Sequence, residues 1–222
     1  MITNDKRSAE VVGSEWNESP EWSIEDSERL YDFNAWGGGH FGVSQSGEVV
    51  IQPGETQAAA SIFSILDELR NKNLRPPFLL RFPQLLERNV KSLHDSFEAS
   101  LQRHGYKAGY KGVFPVKVNQ TQMVVEAIHR AGQEHAYGLE AGSKAELCAV
   151  LTIHSNRNAL ILCNGFKDGR YLEAAMLAKR LGKRVIVICE QYDEIERLLN
   201  LADDVPIEIG IRCRLNIDGT GI

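Results

Sequence analysis

The sequence predicts an α/β fold built on a parallel sheet, and three observations predict it. Between residues 77 and 215, short runs rich in Val, Ile and Leu alternate with longer stretches of helical period. The apolar runs are nearly continuous, as strands covered on both faces require. Several of the helical stretches open on a capping residue (Ser143, Asp168) and close on a glycine (Gly105, Gly132, Gly182).

Taken in order, residues 1–27 are rich in Ser, Glu, Asp and Asn and read as a loosely attached polar arm, with Trp16 and Trp22 as possible local anchors. Residues 28–75 form a second texture. Phe41 to Ser44 and Glu48 to Gln52 read as short strands joined at Ser46-Gly47, and Pro53-Gly54 closes the hairpin. Ile62, Ile65, Leu66 and Leu69 mark a helix from Ala58 to Asn71. Residues 76–222 carry the alternating pattern. Expected strands are Phe78–Phe82, Gly112–Val118, Ala136–Glu140, Ala159–Cys163, Arg184–Glu190 and Ile207–Leu215. Expected helices are Gln84–His104, Thr121–Ala131, Ser143–Ile153, Asp168–Leu181 and Tyr192–Ala202. This pattern suits either a doubly wound open sheet or a (β/α)8 barrel. No GxGxxG follows any strand, and Gly37-Gly38-Gly39 precedes no clear helix. Asn216 to Ile222 reads as a loop leading onward, so the sequence is expected to be the first part of a longer protein.

Composition excludes several function classes. A formal net charge of −5 over 222 residues argues against a general nucleic-acid binder. No apolar run approaches the roughly 20 residues that span a bilayer. The four cysteines, Cys148, Cys163, Cys189 and Cys213, are scattered singly and read as buried free thiols of a reducing compartment, the cytoplasm. No His/Cys cluster has zinc spacing.

The residue that stands out is Lys117. It sits at the end of the apolar run Val113-Phe114-Pro115-Val116 and before the polar turn Val118-Asn119-Gln120. A lysine there directs its amine into the mouth of a βα unit, where a pyridoxal phosphate enzyme needs an amine to hold its cofactor as a Schiff base. An ordinary solvated or paired lysine is the plain alternative.

Pro115 to Gln120 resembles the cofactor-lysine motif of biosynthetic arginine decarboxylases. Tyr31-Asp32-Phe33-Asn34-Ala35-Trp36-Gly37, Gly138-Leu139-Glu140-Ala141-Gly142-Ser143-Lys144-Ala145-Glu146-Leu147 and Cys163-Asn164-Gly165-Phe166-Lys167-Asp168 resemble further phrases of that family, in order. Ile211-Arg212-Cys213-Arg214-Leu215 also fits.

The resemblance implies an alanine-racemase-like (β/α)8 barrel, incomplete here, preceded by the β-hairpin arm. In such a protein the segment 28–75 packs on a C-terminal β-domain. It implies conversion of L-arginine to agmatine and CO2 in putrescine and spermidine synthesis, pyridoxal phosphate as cofactor, a requirement for magnesium, and a homo-oligomer. Lys117 takes the role of Schiff-base lysine. Glu140 is the acid that keeps the Schiff-base nitrogen protonated, although a helix N-terminal anion is its plain alternative. Arg214 supports the acid and the cofactor, with Arg212 the same-face neighbour at i−2. Asn119 and Asn164 are candidate positioning groups, each with a structural alternative. Lys144 and Lys167 read as solvated or capping residues. His94, His104, His129 and His154 read as helix-surface or helix-end residues, and the role of His40 is open. Residues 1–222 alone are expected to be inactive and poorly soluble. A non-catalytic regulatory chain, or a decarboxylase of another amino acid, are the competing readings.

Overall fold

A computed structural model describes residues 21–52 and 58–214, which fall into two compact units. The readings of residues 1–20, of Pro53-Gly54, and of the chain from Leu215 onward lie outside the described residues.

The first unit comprises residues 21–52 and 59–75 of the described chain. It holds helices α1 (Ile24–Leu30) and α2 (Phe33–Trp36), strands β1 (Phe41–Val43), β2 (Val49–Ile51) and β3 (Ala60–Ser61), and helix α3 (Ile62–Asn71). The three strands form an antiparallel sheet in the order β1-β2-β3. The expected hairpin is present, with Gly47 at φ +79° in its turn. Two expectations are corrected here. The polar arm does not extend to residue 27, because Ser23 and Asp26 form a reciprocal capping box that starts α1 at Ile24. The helix expected from Ala58 begins at Ile62, because Ala60 and Ser61 first pair with Ile51 and Val50.

The second unit carries helix α4 (Pro83–Arg103), strand β4 (Val113–Pro115), a 3-10 turn (Val116–Val118) and helix α5 (Gln122–Ala131). Then follow β5 (Gly138–Ala141), α6 (Lys144–Ile153), β6 (Leu160–Cys163), α7 (Gly169–Arg180), β7 (Arg184–Cys189), α8 (Tyr192–Ala202) and β8 (Glu208–Ile211). The strands form a parallel sheet in the order β4-β5-β6-β7-β8. Order in space equals order in sequence. A doubly wound sheet reverses direction at a switch point, whereas a barrel never does, so the strand order selects the partial barrel.

The pleat divides the sheet's faces. Leu139, Ile161 and Val185 lie in one paired row, buried in a single cluster with Leu147 of α6, Leu172 of α7 and Leu198 of α8. Pro115, Glu140, Leu162, Ile186 and Glu208 form an adjacent row whose side chains point to the opposite face. That opposite face is the interior side of a barrel wall.

The expected strand Phe78–Phe82 does not form. Pro77 and Pro83 bracket it, which shortens the segment and removes backbone donors at its ends, and Pro83 instead opens α4. Five parallel strands therefore stand among the described residues where six were expected.

Candidate active site

Parallel-barrel chemistry gathers at the C-terminal ends of the strands, and the local sequence explains what stands there. The ladder of β4 ends at Pro115. The chain then tightens into the 3-10 turn, closed by the Asn119 N–H donating to the Val116 carbonyl at 3.1 Å. Lys117 occupies the middle of that turn, with its side chain 63% exposed. Pro115 pairs with Glu140 on β5. Lys117 Nζ lies 3.9 Å from Glu140 Oε1, and the Glu140 side chain is only 15% exposed. The structure thus brings the lysine and the acid together at neighbouring strand ends. Glu140 faces away from the helices, between Pro115 and the half-buried Leu162, so it does not serve as an anion for the helix that follows. That task falls to Ser143 and Glu146: the Ser143 hydroxyl accepts from Glu146 N–H at 3.2 Å, and Glu146 Oε2 accepts from Gly142 N–H at 2.7 Å.

Arg214 is exposed beyond the end of β8, three strands along the sheet from β5. Arg212, two residues earlier, pairs with Glu190 at 3.2 Å. Asn119 accepts from Thr121 N–H at 3.1 Å, and Asn164 accepts from Gly165 N–H at 3.0 Å. Both asparagines therefore shape their own turns.

Lys167 corrects the reading of a solvated or capping lysine, for it is fully buried. Its ammonium lies 3.2 Å from Glu194 Oε2, whose side chain is 1% exposed. The partner lies on α8, 27 residues further on, so no local spacing announced it. Burial opposes ionisation of Glu194. The N–H groups of Glu190 and Lys167 and the Lys167 ammonium outweigh it and hold the carboxyl below its ordinary value. Lys144, by contrast, is a half-exposed surface residue, 3.3 Å from Asp168.

Two cysteines depart from expectation: Cys148 and Cys213 are exposed, while Cys163 and Cys189 are buried. Burial pushes the Cys163 thiol up to about 12, so it stays protonated and is not a nucleophile. His129 and His154 sit at helix ends as expected, but both are buried, with ring centroids 5.3 Å apart. Among the described residues no cluster of three or more His, Cys, Asp or Glu could hold a metal ion. Nor is any described helix long and apolar enough to cross a membrane.

A family model described as "Pyridoxal-dependent decarboxylase, pyridoxal binding domain" matches residues 87–220. The biosynthetic arginine decarboxylase of Thermosynechococcus vestitus is 40% identical over 203 residues, covering 90% of this chain and 32% of the relative. That of Bacteroides thetaiotaomicron is 38% identical over 202 residues, with the same coverage of 90% and 32%. The crystal structure of the biosynthetic arginine decarboxylase SpeA from Campylobacter jejuni superposes with a TM-score of 0.76 at 33% identity, covering 84% of this chain and 32% of that one. The chain thus spans about a third of the length of the relatives it matches.

Proposed function

The chain belongs to the pyridoxal-dependent decarboxylases through their pyridoxal-binding domain, and on that footing we propose that it forms the cofactor-binding part of an arginine decarboxylase, producing agmatine and CO2 for polyamine synthesis. The observation that carries the proposal is the placing of the Lys117 amine 3.9 Å from the shielded carboxylate of Glu140, at the ends of adjacent parallel strands.

The residues present fit pyridoxal phosphate. Lys117 offers an exposed primary amine at the strand-end mouth, the group that holds this cofactor covalently. When bound, the cofactor supplies an electron sink for the pair released as the substrate carboxylate departs. The chain's own residues do the rest. Lys117 would take or return a proton at the substrate's α-carbon. Glu140 holds a proton at the neighbouring nitrogen. Leu162, in register beside Glu140, and Ile186, one strand beyond it, limit water on that side and strengthen its field. Arg214 takes its supporting role from the family resemblance alone, since it stands at the end of β8, three strands from Glu140. Magnesium finds no ligand cluster among the described residues, and no step above calls on it. A homo-oligomer in the cytoplasm belongs to the same reading through the family resemblance alone.

The test is product analysis. Protein expressed from its full reading frame and supplied with pyridoxal phosphate and L-arginine should release agmatine, and Lys117→Ala should release none. Agmatine formation by Lys117→Ala at the wild-type rate would overturn the assignment.

A further inference from the structure

A buried ion pair at this end of the sheet has no role in the chemistry described above. Lys167 is fully buried and Glu194 is 1% exposed. Stability is a weak reason to keep such a pair, because well-packed apolar residues of similar volume often serve as well or better. What apolar residues cannot reproduce is the set of bonds the pair makes to backbone. Glu194 Oε1 accepts from Lys167 N–H at 2.9 Å, and Oε2 accepts from Glu190 N–H at 2.9 Å. The Lys167 ammonium donates to the Gly165 carbonyl. One carboxylate therefore ties the loop after β6 to the loop after β7.

Gly165 extends the tie in both directions. Its N–H donates to Glu190 Oε1 at 3.0 Å, and the same oxygen accepts from Arg212 Nη1 at 3.2 Å. Gly165 holds φ +74°, and a Cβ built there would stand 2.3 Å from the Gly142 carbonyl oxygen. Its backbone is thus pressed against the residue two places after Glu140. Asn164 N–H and Tyr171 Oη both donate to the Ala141 carbonyl, at 2.8 and 2.7 Å. The bonds form an unbroken belt across the C-terminal ends of β5, β6, β7 and β8, from the segment of Glu140 to that of Arg212.

We propose that Lys167 and Glu194 are positioning residues, a buried pair that sets the strand end carrying Glu140, and the arginine-bearing end of β8, for the reaction at Lys117. The proposal rests on the function assigned above. Neither residue need touch substrate or cofactor. Each acts through Gly165 and Glu190, and a displacement of about 1 Å at reacting groups is enough to cost about a hundredfold in rate.

The test uses protein expressed from its full reading frame, with the variants Lys167→Met, Glu194→Met, the double variant, and Gly165→Ala. Gly165→Ala attacks the belt from the Gly142 side, so it remains informative if a single charge left buried prevents folding. The double variant should recover most of the thermal midpoint lost in the singles. Its kcat should stay down by about 10- to 100-fold with KM for L-arginine changed less than about twofold. Amide hydrogen exchange should rise in the double variant and in Gly165→Ala at residues 139–142 and 212–214, remote from the substitutions. A double variant with recovered midpoint, wild-type kcat and exchange raised only at 164–167 and 190–194 would overturn the proposal. Failure of the wild type to make agmatine would instead count against the assigned function, and the exchange pattern would still decide the belt.

Discussion

The two ends of the parallel sheet bury polar side chains on opposite terms. At the C-terminal ends, Lys167 and Glu194 are buried with bonds from both partners to each other and to the backbone of two loops. At the N-terminal ends, where α5 and α6 finish, His129 and His154 are buried with nitrogens to spare. His129 Nε2 accepts from Ser155 N–H at 3.1 Å and contacts Gln133 Nε2 at 2.7 Å, yet His129 Nδ1 and both ring nitrogens of His154 meet no well-formed hydrogen bond among the described residues. Geometry is fixed at the first end and not at the second. Saturated buried charges hold one arrangement and break sharply when one member is removed. Unsatisfied neutral rings tolerate burial only while they stay uncharged.

The largest expected effect at the saturated end is chemical. Lys117→Ala should abolish decarboxylation while leaving the thermal midpoint close to that of the wild type, because the side chain is mostly exposed. Next comes removal of one member of the buried pair. Lys167→Met or Glu194→Met should destabilise the fold by about 3–5 kcal/mol in denaturant titration, and the double variant by far less. Equal losses in singles and double would show that the charges do not act as a pair.

The starved end should reveal itself through pH. Burial, then the neighbouring His129 and Lys183, depress His154 from 6.5 to about 4, and burial with Lys183 lowers His129. The folded rings are neutral where the unfolded rings already bind protons. Stability is therefore fully present above about pH 6.5 and falls as pH drops toward 4. His154 alone accounts for up to about 3 kcal/mol of that loss. Chemical denaturation at a series of pH values should show the slope, and His154→Leu should flatten most of it. A slope unchanged in His154→Leu would place the acid sensitivity elsewhere.

Smaller effects sharpen the same contrast. Tyr171→Phe removes one of the donors to the Ala141 carbonyl and should cost about 1 kcal/mol. Ser143→Ala loses the α6 cap and should cost a similar amount, about 1 kcal/mol, with no shift in pH dependence. Thermal melts of both against wild type would check the ranking.

Most of the second unit was legible in the sequence because its signals are local. The Val/Ile run of β7, the caps at Ser143 and Asp168, and the glycines after α5 and α7 fix elements within a few residues. Where reading failed, pairing or long-range contact decided. Phe78–Phe82 has strand composition but is bracketed by prolines. Ala60–Ser61 joined a sheet only because β2 lay beside it. The site divides the same way. Lys117 and Glu140 were visible because each ends a strand, and parallel pairing makes such ends neighbours. Lys167 was misread because its environment is set by Glu194, on a helix three elements later. The phrase Asn164-Gly165-Phe166-Lys167-Asp168 held the available clue, since a glycine beside a lysine at a strand end can mark close backbone packing as well as a turn. His129 and His154 were placed correctly at helix ends, but nothing in their spacing indicated that both would be buried.

We propose that Lys117, among all the lysines of the chain, is the one that holds pyridoxal phosphate. The direct measurement is borohydride reduction of the cofactor-loaded protein followed by peptide mapping by mass spectrometry. A reduced pyridoxyl group is expected on the peptide containing Lys117, with no label in Lys117→Ala. Stoichiometric label on another lysine, or undiminished label in Lys117→Ala, would contradict it.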